Sequence, residues 1–508
     1  MWTKSKIWTA LGLLLLLCQT VPAQAVDLEK KIVKAKLPNG LTVLMMERKF
    51  SPTVSLYIRY RVGAVDEIPG QSGAAHFLEH MMFKGTTTIG AKNYPAEKKL
   101  LRSMEKIGRE LDRESRKQGS ADVRKIRHLE ARLKKLQNEH LRYYIPNEID
   151  RLYTENGASG MNAATGQDMT TYYINLPANK IELWARIESD RLLHPVFRQF
   201  YTERNVILEE RRQRMEASPD GKLYEAFMGR AYTTHPYGIP IIGLPRDLNF
   251  MSPAAIRDIH QKYLSPRRIV IAVVGDIDPS KTMDLIRRYF GRIPEAGAPS
   301  ARIPAEPEQT AERKAEVLFD ASPSIIIGYH KPAPPAREDY VFDVLETILS
   351  KGRTSRLYDR LVITRQIAQS VSVSNGVPAA RYPNLFTIFA QPRHPHTNEE
   401  LQAAILGEIE AIKTHSVTEE ELARAKNQLK MDYIKSLDSN AELASILSYY
   451  ELLLGDYRYF SDYLPQIQKV MAGDVQAAAI RYLTAENCTV AVLNRKTEPG
   501  KGGETDEK

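Results

Sequence analysis

The sequence predicts a fold that mixes β-strands with helices and repeats in two similar halves. Its 508 residues exceed what one hydrophobic core usually organises, so two or more domains are expected. Apolar and β-branched runs at residues 41–46 and 54–62 predict strands that lead into a helix. The same order returns in the second half, where strands near 316–319 and 324–329 precede a helix that starts at Tyr340.

A short internal match supports a duplication. Residues 78–85 align with residues 345–352, because both segments begin with Leu-Glu and end with Lys-Gly. The alignment places Asp343 and Thr347 where the first half has two histidines. One copy of a duplicated domain would then hold a histidine pair that the other copy has lost. A chance resemblance between two helices is the alternative.

The first 25 residues have the layout of a secretory signal peptide. A charged start precedes the apolar run 7–18, and Ala23-Gln24-Ala25 is a small-residue cleavage site. We therefore expect the mature chain to start at Val26, with no integral membrane segment after cleavage. The expected location is secreted, in the bacterial periplasm. An uncleaved membrane anchor is the alternative, but the apolar run is short for a bilayer.

Cysteine content and charge limit the remaining classes. Removal of the leader removes Cys18 and leaves Cys488 alone, so no intrachain disulfide is possible. The formal net charge is +9, but the basic residues are interleaved with 62 acidic ones and no nucleic-acid motif accompanies them. No nucleic-acid partner is therefore predicted.

The chemistry of the chain is concentrated in His76-Phe77-Leu78-Glu79-His80. The surrounding run 75–83 lacks Gly and Pro and carries apolar residues at helical spacing, which predicts a buried helix. On that helix His76 and His80 share one face, and Glu79 reaches toward the same side. Two neutral imidazoles and a carboxylate suit a catalytic zinc site that activates water. Two core histidines beside a surface glutamate are the alternative.

The rest of the chain divides into a predicted N-terminal domain at 26–293, a linker at 294–312, a C-terminal inactive homologous domain at 313–496 and a disordered tail at 497–508. Inside the first domain, the highly charged segment 94–151 carries two narrow apolar stripes, which predict a helical-hairpin insertion. A solvated structural insertion is the preferred interpretation, and a lid or docking arm is the alternative.

A third metal ligand is expected on the helical segment 200–215. Glu203 and Glu210 are two helical turns apart and share a face, whereas Glu209 is turned away. One of the pair could bind the metal while the other hydrogen-bonds an imidazole or the water. Ordinary solvated surface glutamates are the alternative.

Several motifs together resemble the pitrilysin/insulinase-like (inverzincin) zinc peptidases, a family that includes the mitochondrial processing peptidases. The resemblance runs from about residue 31 to residue 495 and is densest in the first half. The motifs are His76-x-x-Glu79-His80 followed by Phe83-Lys84-Gly85-Thr86, Asn162-Ala163-x-Thr165, Glu203-x-x-Val206-x-x-x-Glu210, His235-Pro236-Tyr237-Gly238 and Val273-Val274-Gly275-Asp276.

The resemblance implies an α+β fold of the processing-peptidase-like two-domain type. Two similar domains, each a mostly antiparallel sheet flanked by helices, would face each other across a chamber, with a helical-hairpin insertion in the first. It also implies one zinc ion per chain. The implied zinc ligands are His76, His80 and Glu210, with Glu203 as a supporting catalytic residue.

The activity implied by the resemblance is zinc-dependent endopeptidase cleavage of unstructured peptides by a secreted enzyme. Glu79 would act as the general base that deprotonates water and passes the proton to the leaving amine. Asn162, Ala163 and Thr165 would form the strand edge to which the peptide is added. A non-catalytic scaffold or assembly subunit with the same fold is the alternative function.

Two features depart from the family pattern. Residues 81–209 form a far longer segment than the family usually shows, because they contain the charged insertion. In the second half, Val362 and Gln369 stand where self-sufficient members carry an Arg and a Tyr that contact substrate. We therefore expect a heterodimer with a second family member that lacks the zinc motif, with a homodimer or monomer as the alternative.

Overall fold

The structure is a computed structural model that describes residues 28–263, 265–295 and 302–496. The predicted signal peptide, the predicted tail and residues 296–301 of the predicted linker lie outside the described residues. Of the helices in the described ranges, none is both long and apolar enough to cross a membrane.

The first half of the chain forms a six-stranded sheet. Its strands are β1 Ile32–Lys36, β2 Thr42–Glu47, β3 Thr53–Tyr60, β4 Ser159–Thr165, β5 Thr170–Pro177 and β6 Ile269–Gly275. They lie in the order β1-β2-β6-β3-β5-β4, with β2 and β6 parallel and all other neighbours antiparallel. Every residue of β6 is buried, which fits its unbroken apolar sequence.

The second half forms a five-stranded sheet of the same design. Its strands are β7 Arg313–Phe319, β8 Ser324–Lys331, β9 Ala368–Val377, β10 Asn384–Pro392 and β11 Cys488–Arg495. The order β7-β11-β8-β10-β9 repeats the order β2-β6-β3-β5-β4, and again only the first pair is parallel. The predicted α+β fold of two similar, mostly antiparallel domains is confirmed.

The helices of the first half pack mainly through aromatic and aliphatic side chains. They are α1 Leu28–Lys31, α2 Ala74–Met82, α3 Tyr94–Ser115, α4 Val123–His140, α5 Glu148–Thr154, α6 Ile181–Leu193, α7 Phe200–Arg211, α8 Pro219–Ala231, α9 Pro245–Leu248, α10 Pro253–Tyr263 and α11 Pro279–Phe290. Phe77 of α2 stacks on Phe200 of α7 with 4.6 Å between ring centroids. This contact fixes α2 and α7, which carry the candidate metal ligands, side by side.

Besides a π-helix at Tyr358–Thr364, the described part of the second half contains six α-helices. They are α12 Arg337–Ser350, α13 Asn398–Thr414, α14 Glu419–Lys435, α15 Asn440–Leu454, α16 Tyr459–Lys469 and α17 Ala472–Tyr482. The helix expected from Tyr340 therefore begins at Arg337, three residues earlier than the apolar pattern indicated. α12 follows β8 as α2 follows β3, which extends the similarity of the two halves from the sheets to the first long helix.

The two halves exchange helices. α8 of the first half packs on β7, β8 and β11, where Phe227 lies so close to Gly328 that a Cβ added there would be 2.5 Å from the ring. α15 of the second half packs on β3 and β6. The Arg59 guanidinium of β3 donates to the hydroxyls of Ser448 at 2.9 Å and Ser445 at 2.7 Å. Each sheet is thus covered on both faces only when both halves are present.

The predicted insertion contains the helices α3 and α4, which pack on each other and on the first domain. The fully buried carboxylate of Glu97 lies 2.8 Å from His140 Nε2 and 2.6 Å from Arg198 Nε. Arg204 of α7 donates to Asp112 of α3 at 3.1 Å. A buried carboxylate is stable only with such partners, so this network holds the helical pair against the domain.

Residues 302–312 of the predicted linker contact both domains, since Gln309 Nε2 donates to the carbonyl oxygen of Cys488 in β11 at 2.7 Å and Glu306 binds the first domain. The carboxylate of Glu306 accepts hydrogen bonds from the backbone N–H groups of Thr233, Thr234 and His235 at 2.8 to 3.0 Å.

Cys488 is free and buried, and burial raises the pKa of its thiol to about 11. The thiol is therefore protonated at neutral pH.

Candidate metal centre

The start of α2 is fixed by its backbone and by one carboxylate. Gly73 precedes the helix with φ of +87°, and a Cβ at this position would lie 2.5 Å from the carbonyl oxygen of Ile242. The carboxylate of Glu67 accepts hydrogen bonds from the N–H groups of Gly73 and Ala75, both at 2.8 Å. These contacts satisfy N–H groups that a helix leaves unpaired at its start, and they fix the direction in which His76 projects.

Three candidate ligand atoms converge between α2 and α7. His76 Nε2 lies 3.9 Å and His80 Nε2 lies 3.7 Å from the same oxygen of Glu210, and the three ligand atoms are all within 4.8 Å of one another. Two ligands of a tetrahedral zinc ion are about 3.4 Å apart, given bonds of about 2.0 to 2.1 Å. The set of two imidazoles and one carboxylate is therefore of the right type and nearly the right spacing for zinc.

The imidazole of His80 is oriented by Glu203. His80 Nδ1 lies 2.8 Å from Glu203 Oε1, and the other carboxylate oxygen lies 2.6 Å from Lys84 Nζ. Burial opposes ionisation of Glu203, but the hydrogen bonds from His80 and Lys84 hold its pKa below the usual value. Because an ionised carboxylate only accepts, the proton of His80 lies on Nδ1, and the lone pair of Nε2 faces Glu210.

Glu203→Gln is expected to lower zinc affinity or activity roughly 10- to 100-fold without unfolding the chain. The amide is isosteric but cannot hold the imidazole and the Lys84 ammonium as an ionised acceptor does. Zinc titration followed by competition with a chromogenic chelator measures the change. Unaltered zinc binding and unaltered peptide cleavage in this variant would contradict the orienting role.

His76 has the protonation state that a metal ligand needs. Burial, then the neighbouring His80 and Arg214, lower its pKa to about 3, so the imidazole is neutral at physiological pH. The oxygen of Glu210 that does not face the histidines lies 3.1 Å from Arg214. Arg214 therefore holds the carboxylate in place from the solvent side.

Glu209 does not take part in this cluster. It lies on the exposed side of α7, and its carboxylate pairs with Arg212 at 2.6 Å. Among the three glutamates of the helix, Glu203 and Glu210 contact the histidines and Glu209 contacts a surface arginine. Helical phase therefore separates the carboxylates as the spacing in the sequence indicated.

Glu79 projects into the same site from between the two histidines. Its Oε2 accepts a hydrogen bond from the hydroxyl of Thr165 at 2.5 Å. Burial raises the pKa of Glu79, which the hydrogen bond from Thr165 partly offsets. A raised pKa makes a carboxylate a better proton acceptor and donor near neutral pH.

β4 forms the edge of the first sheet beside Glu79. The N–H of Ala163 donates to the side chain of Asn162 at 2.8 Å, and Thr165, two residues further on, occupies the equivalent position in the ladder with β5. Both amides therefore face away from β5, toward the open edge. Asn162, Ala163 and Thr165 lie where an added strand would contact them.

These groups share one cavity of about 520 Å³. Its lining includes all three candidate ligands, Glu79, residues 162–165 and also Arg214 and Pro378. Arg214 was not predicted, although its position four residues after Glu210 on a helix was a usable signal. Pro378 could not be predicted, because it reaches the cavity from the second half of the chain.

Val362 and Gln369 lie apart from this cavity. Val362 is buried in the core of the second domain, and Gln369 is exposed on β9. Neither side chain lines the cavity of the candidate ligands. Val362 and Gln369, the two positions expected to contact substrate in self-sufficient relatives, therefore do not contribute to this cavity.

Comparisons with known proteins agree with the fold. The sequence profile "Insulinase (Peptidase family M16)" matches residues 42–118, and the profile "Peptidase M16 inactive domain" matches residues 251–429. The zinc protease PqqE of Helicobacter pylori is 27% identical over 467 residues, which are 90% of this chain and 91% of that protein.

Solved structures show the same architecture. A protease from Helicobacter pylori superposes with a TM-score of 0.76 at 24% identity, over 91% of this chain and 99% of that one. The periplasmic protease PqqL from Escherichia coli has a TM-score of 0.68 at 18% identity, over 92% of this chain but 48% of that one. With the profiles, the relative and the duplicated fold in agreement, the chain belongs to the pitrilysin/insulinase-like (M16) peptidase family, as a member built of two similar domains.

Proposed function

We propose that this protein is a zinc-dependent endopeptidase that cleaves unstructured peptides. The observation that carries the proposal is the shared cavity, in which the ligand atoms of His76, His80 and Glu210 converge beside Glu79 and the open edge of β4. The relative from Helicobacter pylori that is named a zinc protease supports it. Zinc, when bound, supplies Lewis acidity that polarises a peptide carbonyl and makes a water molecule more acidic.

The side chains of the cavity divide the remaining work. Glu79 accepts the proton of the attacking water and later donates it to the leaving amine nitrogen, a task that suits a carboxylate whose pKa is raised. Thr165 holds Glu79 in position through its hydroxyl. Glu203 orients His80 through a hydrogen bond, and Arg214 orients Glu210 through an ion pair.

The open edge of β4 would bind the substrate as an added strand. Its outward backbone groups at Ala163 and Thr165 would pair with the peptide backbone, with the peptide replacing the Asn162 side chain at the Ala163 N–H, which gives affinity without a requirement for particular side chains. A folded domain cannot present such a strand, so the substrate class is extended peptide. Thr165 would then contact both the catalytic base and the substrate backbone.

Removal of zinc tests the proposal directly. The purified mature chain is expected to contain about one zinc ion, to lose peptide cleavage after treatment with a zinc chelator and to regain it when zinc is restored. Metal analysis and hydrolysis of an unstructured fluorogenic peptide measure these changes. A chain that binds no zinc, or that cleaves equally well without it, would favour the alternative function.

The alternative is a scaffold or assembly subunit without catalysis. One observation favours it: the second half matches a profile described as an inactive domain, and its helix α12 carries Asp343 and Thr347 in place of histidines. The intact cluster in the first half favours the enzyme instead. The chelation experiment separates the two.

We also propose secretion and pairing. The predicted leader and the similarity to a periplasmic protease of Escherichia coli support a periplasmic location. This chain spans about half the length of that protein, which is the relation expected if a complete chamber needs two such units. Val362 and Gln369 do not line the cavity of the candidate ligands, so the missing Arg and Tyr would come from a partner that lacks the zinc motif.

Pairing can be tested on protein recovered with its native associates. The complex is expected to cleave an unstructured peptide faster than the isolated chain at equal zinc occupancy, because groups supplied by the partner would position the substrate. Size-exclusion chromatography with mass spectrometry identifies the associates. Full activity of the lone chain, with no second family member recovered, would contradict the heterodimer.

A further inference from the structure

A second cavity, of about 370 Å³, lies between the two domains and next to the candidate metal cavity. The two cavities share Gln167 and Pro378 as wall residues. The second cavity is lined by polar and aromatic side chains of the second domain, chiefly Asp339 and Asp343 of α12. Its volume lies in the range of small-molecule sites.

The second cavity occupies the place in the second domain that the metal cavity occupies in the first. In the first domain Glu79 accepts a hydrogen bond from the hydroxyl of Thr165 on the edge strand β4. In the second domain Glu346 accepts one from the backbone N–H of Asn375, at 2.9 Å, on the edge strand β9. The glutamate and its edge-strand contact are thus repeated, while the imidazoles are replaced.

Buried amide groups in this cavity lack partners. Asn384 has 0% exposure, and within the described part of the chain neither its Oδ1 nor its Nδ2 has a hydrogen-bond partner. Asn375 Oδ1 is likewise buried without a partner there, although its Nδ2 donates to Asp343 at 2.8 Å. A buried amide without partners costs stability, so these atoms indicate a place where a ligand supplies the missing hydrogen bonds.

The cavity also contains a carboxylate that has no cationic partner among the described residues. The Asp339 carboxylate is paired with Lys331 at 2.6 Å. Asp343, in contrast, accepts hydrogen bonds only from neutral groups, Asn375 and the hydroxyl of Tyr463 at 2.9 Å, and no cation of the described ranges pairs with it. Burial accordingly raises the pKa of Asp343. A bound cation would compensate this carboxylate.

Aromatic rings favour an organic cation over a metal ion. The cavity is lined by Tyr449, Tyr450, Tyr459 and Tyr463. The ring centroids of Tyr450 and Tyr459 are 4.9 Å apart. Ring faces attract alkylammonium groups, and the alkyl part gains contact with the rings as well. A transition-metal site built from side chains usually has three or more converging ligands, and among the described residues only the cluster in the first domain provides such a set of His, Cys, Asp and Glu.

We propose that this cavity is a binding site for a small organic ammonium ion. Asp343 would accept from the ammonium group, the unpartnered oxygens of Asn375 and Asn384 would accept its remaining N–H groups, and the tyrosine rings would contact its alkyl chain. The ligand is a protonated primary amine, either a free alkylamine or the end of a lysine side chain.

Calorimetry and thermal unfolding of the full mature chain test the site. Butylammonium chloride is expected to bind saturably and to raise the melting temperature, whereas butanol, which lacks the charge, is not. Asp343→Asn is expected to weaken butylammonium binding roughly 10- to 100-fold, the range for loss of a charged hydrogen-bond acceptor. Asp320→Asn, at a carboxylate with a side chain 83% exposed, is the matched control and should bind as the parent does.

A second variant separates binding from folding. Asn384→Leu replaces the unpartnered amide by an apolar side chain of the same shape, so the melting temperature without amine is expected to stay equal or rise while butylammonium binding weakens, by less than in Asp343→Asn. A fall in that melting temperature would show that Asn384 is structural and would contradict the site.

The remaining arms of the experiment identify the ligand. Tighter binding of butylammonium than of N-acetyl-lysine amide would assign the site to free amines, and the reverse would assign it to lysine side chains; either result supports the proposal. Absence of saturable amine binding would overturn it. Calcium chloride that stabilises the parent but not Asp343→Asn would also overturn it, because the site would then hold a metal ion.

Discussion

Glu79→Gln is expected to reduce peptide cleavage by about 10²- to 10⁴-fold while zinc binding is retained. The substitution keeps the shape of the side chain and its contact with the Thr165 hydroxyl, but an amide cannot accept the proton of the attacking water. Because Glu79 is not among the three converging ligand atoms, the metal content should not change. Steady-state hydrolysis of an unstructured fluorogenic peptide, at equal zinc occupancy, measures the loss.

Glu209→Gln is the matched control for this experiment. It makes the same chemical change on an exposed glutamate whose partner is the surface residue Arg212. The control should retain both activity and zinc. Undiminished cleavage by Glu79→Gln would exclude Glu79 as the base, and parallel loss of zinc in that variant would show that its effect is structural.

Glu210→Gln is expected to lower zinc affinity by more than Glu203→Gln, for which a loss of roughly 10- to 100-fold is expected. The reason is that Glu210 is a candidate zinc ligand, whereas Glu203 hydrogen-bonds the candidate ligand His80. The carboxylate oxygen of Glu210 lies within 3.9 Å of both candidate imidazole nitrogens. The amide that replaces it has no charge to offset that of the metal. Competition with a chromogenic chelator gives the affinity of each variant.

The neighbouring Glu209 again provides the comparison, since it lies one residue away on the same helix and faces solvent. Thermal unfolding of both variants in the absence of zinc should show equally folded chains. Strong zinc loss in Glu209→Gln together with normal binding in Glu210→Gln would mean that α7 presents the opposite face to the histidines.

Local periodicity made much of this site predictable. His76, Glu79 and His80 are positioned relative to one another by one helix, and Glu203 and Glu210 by another, because residues on a helix have a fixed angular relation. The order of strands and helix, which occurs once in each half of the sequence, predicted two similar domains. Strands and turns are indicated by apolar alternation and turn residues within a few neighbouring positions, so they can be predicted without knowledge of the remaining chain.

Contacts between distant segments were decided only by the tertiary structure. The sequence left open which glutamate would face which imidazole, and packing assigns Glu203 to His80 Nδ1 and Glu210 to the gap between both rings. It did not indicate that Thr165 would hold Glu79 from 86 residues away. Such contacts depend on how whole elements are packed together.

The exchange of α8 and α15 is the clearest case. Each helix belongs by sequence to one half and covers the sheet of the other, so the local sequence pattern does not predict which strands it contacts. For the same reason the local pattern does not predict that the second half contributes a wall to the metal cavity. An amphipathic helix specifies that it will be buried, but the hydrophobic effect is non-directional and does not specify against which sheet. The sequence alone determined the elements and their chemistry, and shape complementarity between the two halves determined where they meet.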